Sequence, residues 1–327
     1  MKKILQHLFE HQSLTELQAK DVMLNIGNGI YTDAEIASFI TVYLMRTITI
    51  AELVGFKKAL LQMALPVSFT EPTLDIVGTG GDGKNTFNIS TLASFVVAGA
   101  GVKVAKQGNY AATSVTGSSD VLQQLGYVFK SDNNLLTQEL QIAHITFLHA
   151  PLFHPALKMV SQIRKQIGVH TLFNIMGPLV NPANPTYRLL GVYSAEVGRL
   201  YNYILQNEDA KFGIINSLDG YDEISLTCDT KVITKEGEKI YDPYFLGKRI
   251  VSPQDITGGN SPADAAKIFL NIIQGKGTWA QNAVVLANAA MALHITGNYN
   301  SYDVCMQMVV ESLESGRAYL SLKNLIQ

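Results

Sequence analysis

The sequence predicts an α/β fold in which a small helical N-terminal domain precedes a larger, mainly parallel α/β domain. Two observations support this prediction. Apolar residues recur three to four positions apart up to about residue 65, as in amphipathic helices, and strand-like and helical segments alternate from residue 74 onward. We place the helical domain at residues 1–70 and the α/β domain at residues 71–327.

The N-terminal helices carry recognisable start signals. A Ser or Thr followed three residues later by Glu can form a reciprocal capping box. Three pairs fit this pattern: Ser13 with Glu16, Thr32 with Glu35, and Thr49 with Glu52. The proline-containing stretch 65–72 then predicts a linker out of the helical domain.

The second part of the chain has the rhythm of a parallel sheet covered by helices on both faces. We predict strands at 74–77, 102–106, 145–149, 188–193 and 212–216. We predict helices at 91–98, 119–124, 133–143, 156–167 and 195–206, a hairpin at 231–239, and a mostly helical segment from 262 onward. Ligands of such sheets bind at the carboxyl ends of the strands.

Composition excludes several classes of protein. The net charge of −2 over 327 residues implies no broad basic surface for nucleic acid. Two cysteines, Cys228 and Cys305, indicate a reducing compartment and no disulfide framework. Neither a secretory apolar segment nor a membrane-spanning stretch is present, so we expect a soluble, cytoplasmic protein without membrane partners.

The segment DIVGTGGDGKNTFNIST (75–91) is the most informative in the chain. A strand end leads into a loop of four glycines, and Ser90 or Thr91 can cap the helix that follows. Without Cβ atoms, backbone N–H groups can approach anionic oxygens, and a helix start favours negative charge. The segment therefore predicts a phosphorylated ligand.

Alternative interpretations of the glycine loop remain open. It fits the dinucleotide fingerprint G-x-G-x-x-G, but region 98–105 lacks the acidic residue that would hold the ribose. It also fits the start of a P-loop, but Asn85 stands where Ser or Thr should hold magnesium. A third interpretation includes Asp82 in the site, which suits a sugar phosphate or a metal. A glycine-rich turn without a ligand is the fourth.

Three further segments carry candidate site residues. Region 106–120 offers the cation of Lys106 and many small donors, as a polyanion site or a plain solvent loop would. Asp222 and Glu223 are oxygen ligands suited to Mg2+, or members of a solvated acidic turn. Arg164 can clamp a carboxylate or can end a solvated helix that stops at Gly168. Pro178 breaks the helix at 173–182, which could supply an apolar wall.

Taken together and in this order, the segments resemble the anthranilate phosphoribosyltransferase family. The matching pieces are DIVGTGGDGKNTFNIST, KQGNYAATSVTGSSDVLQQLG, HPALKMVSQIRKQIG, FNIMGPLVNP and DGYDEISL. The resemblance implies a nucleoside phosphorylase/phosphoribosyltransferase-like fold, a homodimer, and a helical domain joined by helices from about 157–182. It also implies transfer of a phosphoribosyl group from phosphoribosyl pyrophosphate to anthranilate with Mg2+ as cofactor, in tryptophan biosynthesis.

The resemblance also assigns roles to individual residues. Anthranilate would contact Gly78, Asn109 and Arg164, and Mg2+ would be held by Ser90, Asp222 and Glu223. No side chain would act as a catalytic nucleophile or base. Phosphoribosyl pyrophosphate would contact Gly78, Gly81, Asp82, Thr86, Asn88, Ile89, Ser90, Thr91, Lys106, Gln107, Gly108, Asn109, Tyr110, Ala111, Ala112, Thr113, Ser114 and Ser118.

The chain departs from the family pattern at several positions, of which Gln107 and Tyr110 lie beside the expected acceptor site. Gln107 and Tyr110 stand where the family usually has His and Arg, His170 replaces an Arg, and Asn216-Ser217 replaces His-Gly. A different acceptor, or neutral variation in a working enzyme, would explain these changes. A pyrimidine nucleoside phosphorylase remains an alternative, as does a non-catalytic relative that binds nucleic acid or another partner.

Overall fold

The fold is described from a computed structural model covering residues 1–111, 114–247 and 249–327. Its helices are α1 (Lys2–Phe9), α2 (Glu16–Gly27), α3 (Asp33–Met45), α4 (Ile50–Met63), α5 (Ile89–Gly99), α6 (Ser118–Gln124), α7 (Asn133–Ile142), α8 (Ala150–Phe153), α9 (Pro155–Ile167), α10 (Leu172–Met176), α11 (Ala195–Leu205), α12 (Pro243–Gly247), α13 (Pro262–Ile273), α14 (Trp279–His294), α15 (Tyr302–Glu314) and α16 (Arg317–Ile326). Its strands are β1 (Leu74–Gly78), β2 (Val104–Gly108), β3 (Ile145–His149), β4 (Tyr187–Gly191), β5 (Lys211–Ser217), β6 (Thr230–Thr234) and β7 (Gly237–Tyr241).

The chain divides into two compact units. The first comprises Met1–Val67 with Ala150–Asn184, and the second comprises Ser68–His149 with Pro185–Gln327. The first unit is helical, and the second contains the sheet, which confirms the predicted fold class. Within the described ranges, no helix combines the length and apolar character needed to cross a bilayer.

In the first unit, α2 packs closely along α4, and α9 packs against α2, α3 and α4. Gly55 of α4 permits the close approach, because a Cβ there would lie 2.3 Å from the carbonyl oxygen of Glu16. The capping boxes of α3 and α4 form as predicted. The predicted Ser13 box is wrong: Thr15 caps α2 and forms the capping box with Gln18. The helix therefore begins at Glu16, two residues later than a cap at Ser13 would place it.

In the second unit, the described strands form one sheet in the order β3-β2-β1-β4-β5-β6-β7. The first five are parallel, while β6 and β7 form the predicted antiparallel hairpin. The five parallel strands were all predicted, although β2 begins at Val104 and not at 102. The chain adds β2 and β3 on one side of β1 and then β4 on the other. This reversal creates a topological switch point at the carboxyl ends of β1 and β4, where such sheets bind ligands.

Burial of Glu52 organises the helical unit. Its side chain is fully buried, and its carboxylate accepts hydrogen bonds from the backbone N–H of Leu14 at 2.9 Å and the Tyr43 hydroxyl at 3.0 Å. Arg46 pairs with the same carboxylate, which also closes the capping box with Thr49. Burial acts to raise the pKa of Glu52, but the hydrogen bonds from Arg46 and from the backbone lower it overall.

We predict that Glu52→Gln lowers the free energy of unfolding by about 3 kcal/mol at pH 7, because it leaves Arg46 without its buried partner. Since the folded pKa lies below the unfolded value, the ionised carboxylate stabilises the fold above the unfolded pKa. That contribution is lost as the pH falls through the folded pKa. Denaturant unfolding at several pH values should therefore show that the difference in free energy of unfolding between wild type and variant becomes smaller in acid.

The matched control is Glu35→Gln, which changes the same capping-box position on the exposed surface of α3. It should change stability little. Equal effects of the two substitutions would contradict a special role for the buried pair.

Candidate functional site

The glycine loop leaves β1 at the switch point and is shaped by its glycines. Gly80, Gly81 and Gly83 have φ values of +65°, +74° and +71°, which non-glycine residues adopt only with strain. The Asp82 carboxylate accepts a hydrogen bond from the backbone N–H of Lys84 at 2.9 Å, which tightens the turn. The loop is therefore a well-defined turn whose backbone is exposed, as an anion site requires.

Helix α5 begins at Ile89, five residues after Lys84. In a P-loop or a dinucleotide fingerprint, the helix opens directly from the glycine motif. Here residues 85–87 first pair with another segment: the Asn85 side chain donates to Gly259, and Thr86 bridges to Thr257. The geometry therefore favours the third interpretation of the loop. Neither Ser90 nor Thr91 caps α5, because Asn88 occupies the N-cap position and makes no side-chain cap bond.

Asp222 lies directly over the switch point. Its Oδ2 accepts a hydrogen bond from the backbone N–H of Gly80 at 2.6 Å. A Cβ at Gly78 would lie 2.3 Å from that oxygen, and a Cβ at Gly191 would lie 1.7 Å from the Asp222 carbonyl oxygen. Gly78 and Gly191 are register partners at the ends of β1 and β4. Asp222 therefore packs directly on two glycines, and we call this packing surface the seat of Asp222.

Glu223 extends the acidic pair toward α5. Its Oε1 accepts a hydrogen bond from the backbone N–H of Ser90 at 3.1 Å, and the Ser90 hydroxyl also contacts it. The three residues predicted to hold Mg2+ thus lie along one edge, with Ser90 bonded to Glu223 and Asp222 adjacent in sequence. Both carboxyl side chains are buried, with 7% and 9% of their surface exposed.

The electrostatics of the pair are unfavourable in the absence of a cation. Burial and the neighbouring Asp82 raise the pKa of Asp222 to about 7. Burial and Asp222 raise the pKa of Glu223 to about 8, although Lys106 opposes this shift. Burial also raises the pKa of Asp82, which shares a side-chain hydrogen bond with Asp222. At neutral pH, Asp222 and Glu223 therefore share protons that a divalent cation would displace.

Lys106 lies beneath this edge of the sheet and not on its surface. Its side chain is 1% exposed, and its ammonium donates to the carbonyl oxygen of Ile76. Burial lowers its pKa, while Asp75 and Glu223 raise it. The predicted cation therefore acts on the site through the electrostatic field around Glu223.

Two residues for which the sequence predicted no role hold the acidic turn. The Ser217 hydroxyl donates to the carbonyl oxygen of Glu223 at 2.7 Å. The side chain of Asn288, fully buried in α14, accepts from the N–H of Ile224 at 3.0 Å and donates to its carbonyl at 2.9 Å. For Asn288, the available signal was a single polar residue in the otherwise apolar stretch 283–293.

The second loop begins at the end of β2. Asn109 accepts a hydrogen bond from the backbone N–H of Tyr110, whose hydroxyl donates to Gln123 at 3.2 Å. The ring of Tyr110 meets the edge of His149, 4.8 Å between centroids. Ser114 and Ser118 are described, whereas the predicted contacts Ala112 and Thr113 lie outside the described residues.

Two buried acceptor atoms at the predicted site have no hydrogen-bond donor within the described ranges. They are the Oδ1 of Asn88 and the Oε1 of Gln107, whose side chain is 4% exposed. A buried oxygen without a donor costs free energy, so such atoms usually receive a hydrogen bond from ligand or water. Both atoms belong to residues predicted to contact the phosphoribosyl ligand.

Arg164 belongs to the first unit. Its Nη2 donates to the Oδ1 of Asn174 at 3.2 Å, and its guanidinium lies 5.6 Å from the ring centre of Phe173. Burial lowers its pKa, and no carboxylate from the described part of the chain contributes to the shift. Gly168 ends α9 with φ +71°, as predicted, and α10 ends at Met176, so the helix is interrupted ahead of Pro178, as predicted. Arg164 therefore offers a half-buried cation to an anionic ligand.

We predict that Glu223→Gln raises the melting temperature of the ligand-free protein at pH 8. A raised carboxyl pKa means that the folded state retains a proton that the unfolded state releases. Wild-type stability should therefore fall as the pH rises from the unfolded pKa toward 8, and the variant should lack this contribution. Thermal unfolding from pH 5 to pH 8 checks it. A difference between the two proteins that does not grow with pH would contradict the buried, uncompensated carboxyl.

Comparison with known proteins agrees with this geometry. Residues 70–319 match the model of the glycosyl transferase family a/b domain, and residues 2–64 match that family's helical bundle domain. An anthranilate phosphoribosyltransferase from Bacteroides thetaiotaomicron is 52% identical over 100% of this chain and 99% of its own. One from Cytophaga hutchinsonii is 50% identical, with both chains fully covered.

Solved structures of anthranilate phosphoribosyltransferases are also similar to this chain. Anthranilate phosphoribosyltransferase from Thermus thermophilus superposes with a TM-score of 0.87 at 30% identity, covering 98% of each chain. The Saccharomyces cerevisiae enzyme in complex with PRPP (phosphoribosyl pyrophosphate) and Mg superposes with a TM-score of 0.90 at 28% identity, covering 98% of this chain and 95% of that one. These matches confirm the resemblance seen in the sequence, and the chain belongs to the anthranilate phosphoribosyltransferase family.

Proposed function

We propose that the chain transfers the phosphoribosyl group of phosphoribosyl pyrophosphate to anthranilate, giving N-(5-phosphoribosyl)anthranilate and pyrophosphate in tryptophan biosynthesis. One observation carries the proposal. The buried acidic pair is seated on Gly78 and Gly191 at the sheet's switch point, in a chain 52% identical to an anthranilate phosphoribosyltransferase over its full length.

The phosphoribosyl ligand would bind along the glycine loop, the start of α5 and the loop after β2. Backbone N–H groups of the glycine loop and the first turn of α5 supply donors for phosphate oxygens. The Asn88 and Gln107 oxygens are available to sugar hydroxyls, which can donate to them. We retain the individually predicted contacts as part of this proposal, except that the buried Lys106 would act through its charge and not by direct contact.

The donor set fits Mg2+. In the described ranges no three His, Cys, Asp or Glu side chains gather into a complete metal cage. Mg2+ usually takes one or two carboxylates, with phosphates and water completing its shell. Ser90, Asp222 and Glu223 would hold it, and the related yeast enzyme is in complex with PRPP and Mg. When bound, the cation stabilises negative charge on the departing pyrophosphate.

The acceptor would be recognised by Gly78, Asn109 and Arg164. A guanidinium without a carboxylate partner suits the carboxylate of anthranilate, and a related yeast structure holds 4-fluoroanthranilate. The neutral aromatic amine attacks the anomeric carbon, the bond from that carbon to pyrophosphate breaks, and the amine releases a proton. Because amine and leaving group need only be positioned, no nucleophilic side chain is required.

The remaining organisation also belongs to the proposal. We propose that the two compact units are the functional domains, that the chain works as a homodimer in the cytoplasm, and that it needs no nucleic-acid or membrane partner. The full-length match to curated relatives supports the domain organisation. Sedimentation velocity of the purified chain would test the dimer, and a monomer at working concentration would exclude it.

The reaction is tested by loss of anthranilate fluorescence with phosphoribosyl pyrophosphate, with and without Mg2+. Magnesium-dependent loss with equimolar pyrophosphate release is expected. If phosphoribosyl pyrophosphate binds but anthranilate is not consumed, Gln107 and Tyr110 have changed the acceptor. If phosphate and a pyrimidine nucleoside react instead, the chain is a phosphorylase and the proposal is wrong.

We predict that Arg164→Ala raises the KM for anthranilate at least tenfold, because a charge-assisted contact to its carboxylate is lost. The KM for phosphoribosyl pyrophosphate should change less than twofold. Lys165→Ala, which removes a neighbouring exposed cation from the same helix, is the control and should change neither constant. An unchanged anthranilate KM in the Arg164 variant would remove Arg164 from the acceptor site.

A further inference from the structure

The loop that follows β2 is closed at its base by one carboxylate. The Oδ2 of Asp120 accepts hydrogen bonds from the backbone N–H of Ala111 at 2.8 Å and from that of Gly117 at 2.7 Å. These two residues stand at the two ends of the segment that contains Ser114 and Thr116. A single side-chain oxygen therefore ties the entry of the loop to its exit.

Gly117 packs against the residues at the start of the same loop. A Cβ at this position would lie 2.5 Å from the nitrogen of Ala111 and 2.6 Å from the carbonyl oxygen of Asn109. Its φ of −96° is open to any residue, so glycine is required here by space and not by backbone conformation. The two ends of the loop are thus in direct backbone contact.

The helix that presents Asp120 is itself fixed. The N–H of Ser119 donates to the carbonyl of Asn109 at 3.1 Å, and its hydroxyl bonds to the Nδ1 of His149 at 2.8 Å. The His149 ring stacks on Phe129, 4.1 Å between centroids. Asp120 therefore extends from a well-packed helix, and the clamp that it forms holds Ala111 and Gly117 next to each other.

From these contacts we propose that Asp120 is a positioning residue for phosphoribosyl pyrophosphate. It sets the loop so that the described donors, Ser114 and Ser118 among them, meet the phosphates without an ordering cost at binding. The inference rests on the proposed function. A carboxylate near phosphates would by itself repel them, so a purely electrostatic role would make removal of Asp120 tighten binding. A positioning role predicts the opposite sign.

The test measures the Kd of phosphoribosyl pyrophosphate with Mg2+ by calorimetry, and the melting temperature, on the same samples. Asp120→Ala should raise the Kd at least tenfold. Asp120→Asn keeps an oxygen acceptor but loses its charge, so it should recover most of the affinity. Gly117→Ala leaves the carboxylate in place but forces the loop ends apart, and it should weaken binding as Asp120→Ala does.

Asp132→Ala is the matched control. One oxygen of Asp132 also accepts two backbone hydrogen bonds, from Asn134 at 2.9 Å and Leu135 at 3.0 Å, at the start of α7. Its loss should lower the melting temperature and leave the Kd unchanged. The inference is overturned if Asp120→Ala binds within twofold of wild type or more tightly, or if Asp132→Ala weakens binding equally.

Amide hydrogen exchange separates this inference from the proposed function. In the ligand-free protein, the amides of Ala111 and Gly117 should exchange at least tenfold faster in Asp120→Ala than in wild type. If wild type binds no phosphoribosyl pyrophosphate, the proposed function fails, and accelerated exchange still supports the clamp. Unchanged exchange at both amides overturns the clamp whatever the ligand.

Discussion

The close packing of Asp222 against two strand ends is the constraint on which the rest of the site depends. Gly78 and Gly191 end neighbouring parallel strands, and neither position has room for a Cβ beside the aspartate. The N–H of Gly80 then fixes one carboxylate oxygen. The glycine loop and the acidic turn meet through this one residue, so the proposed phosphate and metal sites would share a single geometry.

This arrangement carries an electrostatic cost. Asp82, Asp222 and Glu223 all have raised pKa values, with burial as the largest cause. The N–H of Ser90 donates to the Glu223 carboxylate, the Ser217 hydroxyl donates to the Glu223 backbone carbonyl, and Asn288 bonds the backbone of Ile224. Under the proposed function, carboxyls already held in place would bind a cation and phosphates with little reorganisation, which is the condition for electrostatic preorganisation.

Much of this could be predicted from sequence, because the informative signals are local. The strands, the glycine loop and the caps at Thr32 and Thr49 follow from patterns a few residues long. Long-range contacts could not be predicted in this way. The sequence around Asn288 does not reveal that its side chain hydrogen-bonds the backbone of Ile224, and the burial of Lys106 depends on its neighbours in space. The Ser13 cap was wrong because Thr15 offers an equivalent box two residues later. The resemblance supplied the site residues that local patterns left open.

The most direct test is the affinity of the Gly191→Ala variant for phosphoribosyl pyrophosphate with Mg2+. Gly198→Ala is the control, because a Cβ there would make ordinary contacts no closer than 3.5 Å. If the packing of Asp222 on the strand ends organises the site, Gly191→Ala should displace Asp222 and weaken binding at least a hundredfold, while Gly198→Ala should bind like wild type. Wild-type affinity in a folded Gly191→Ala protein would show that the seat of Asp222 does not organise the site.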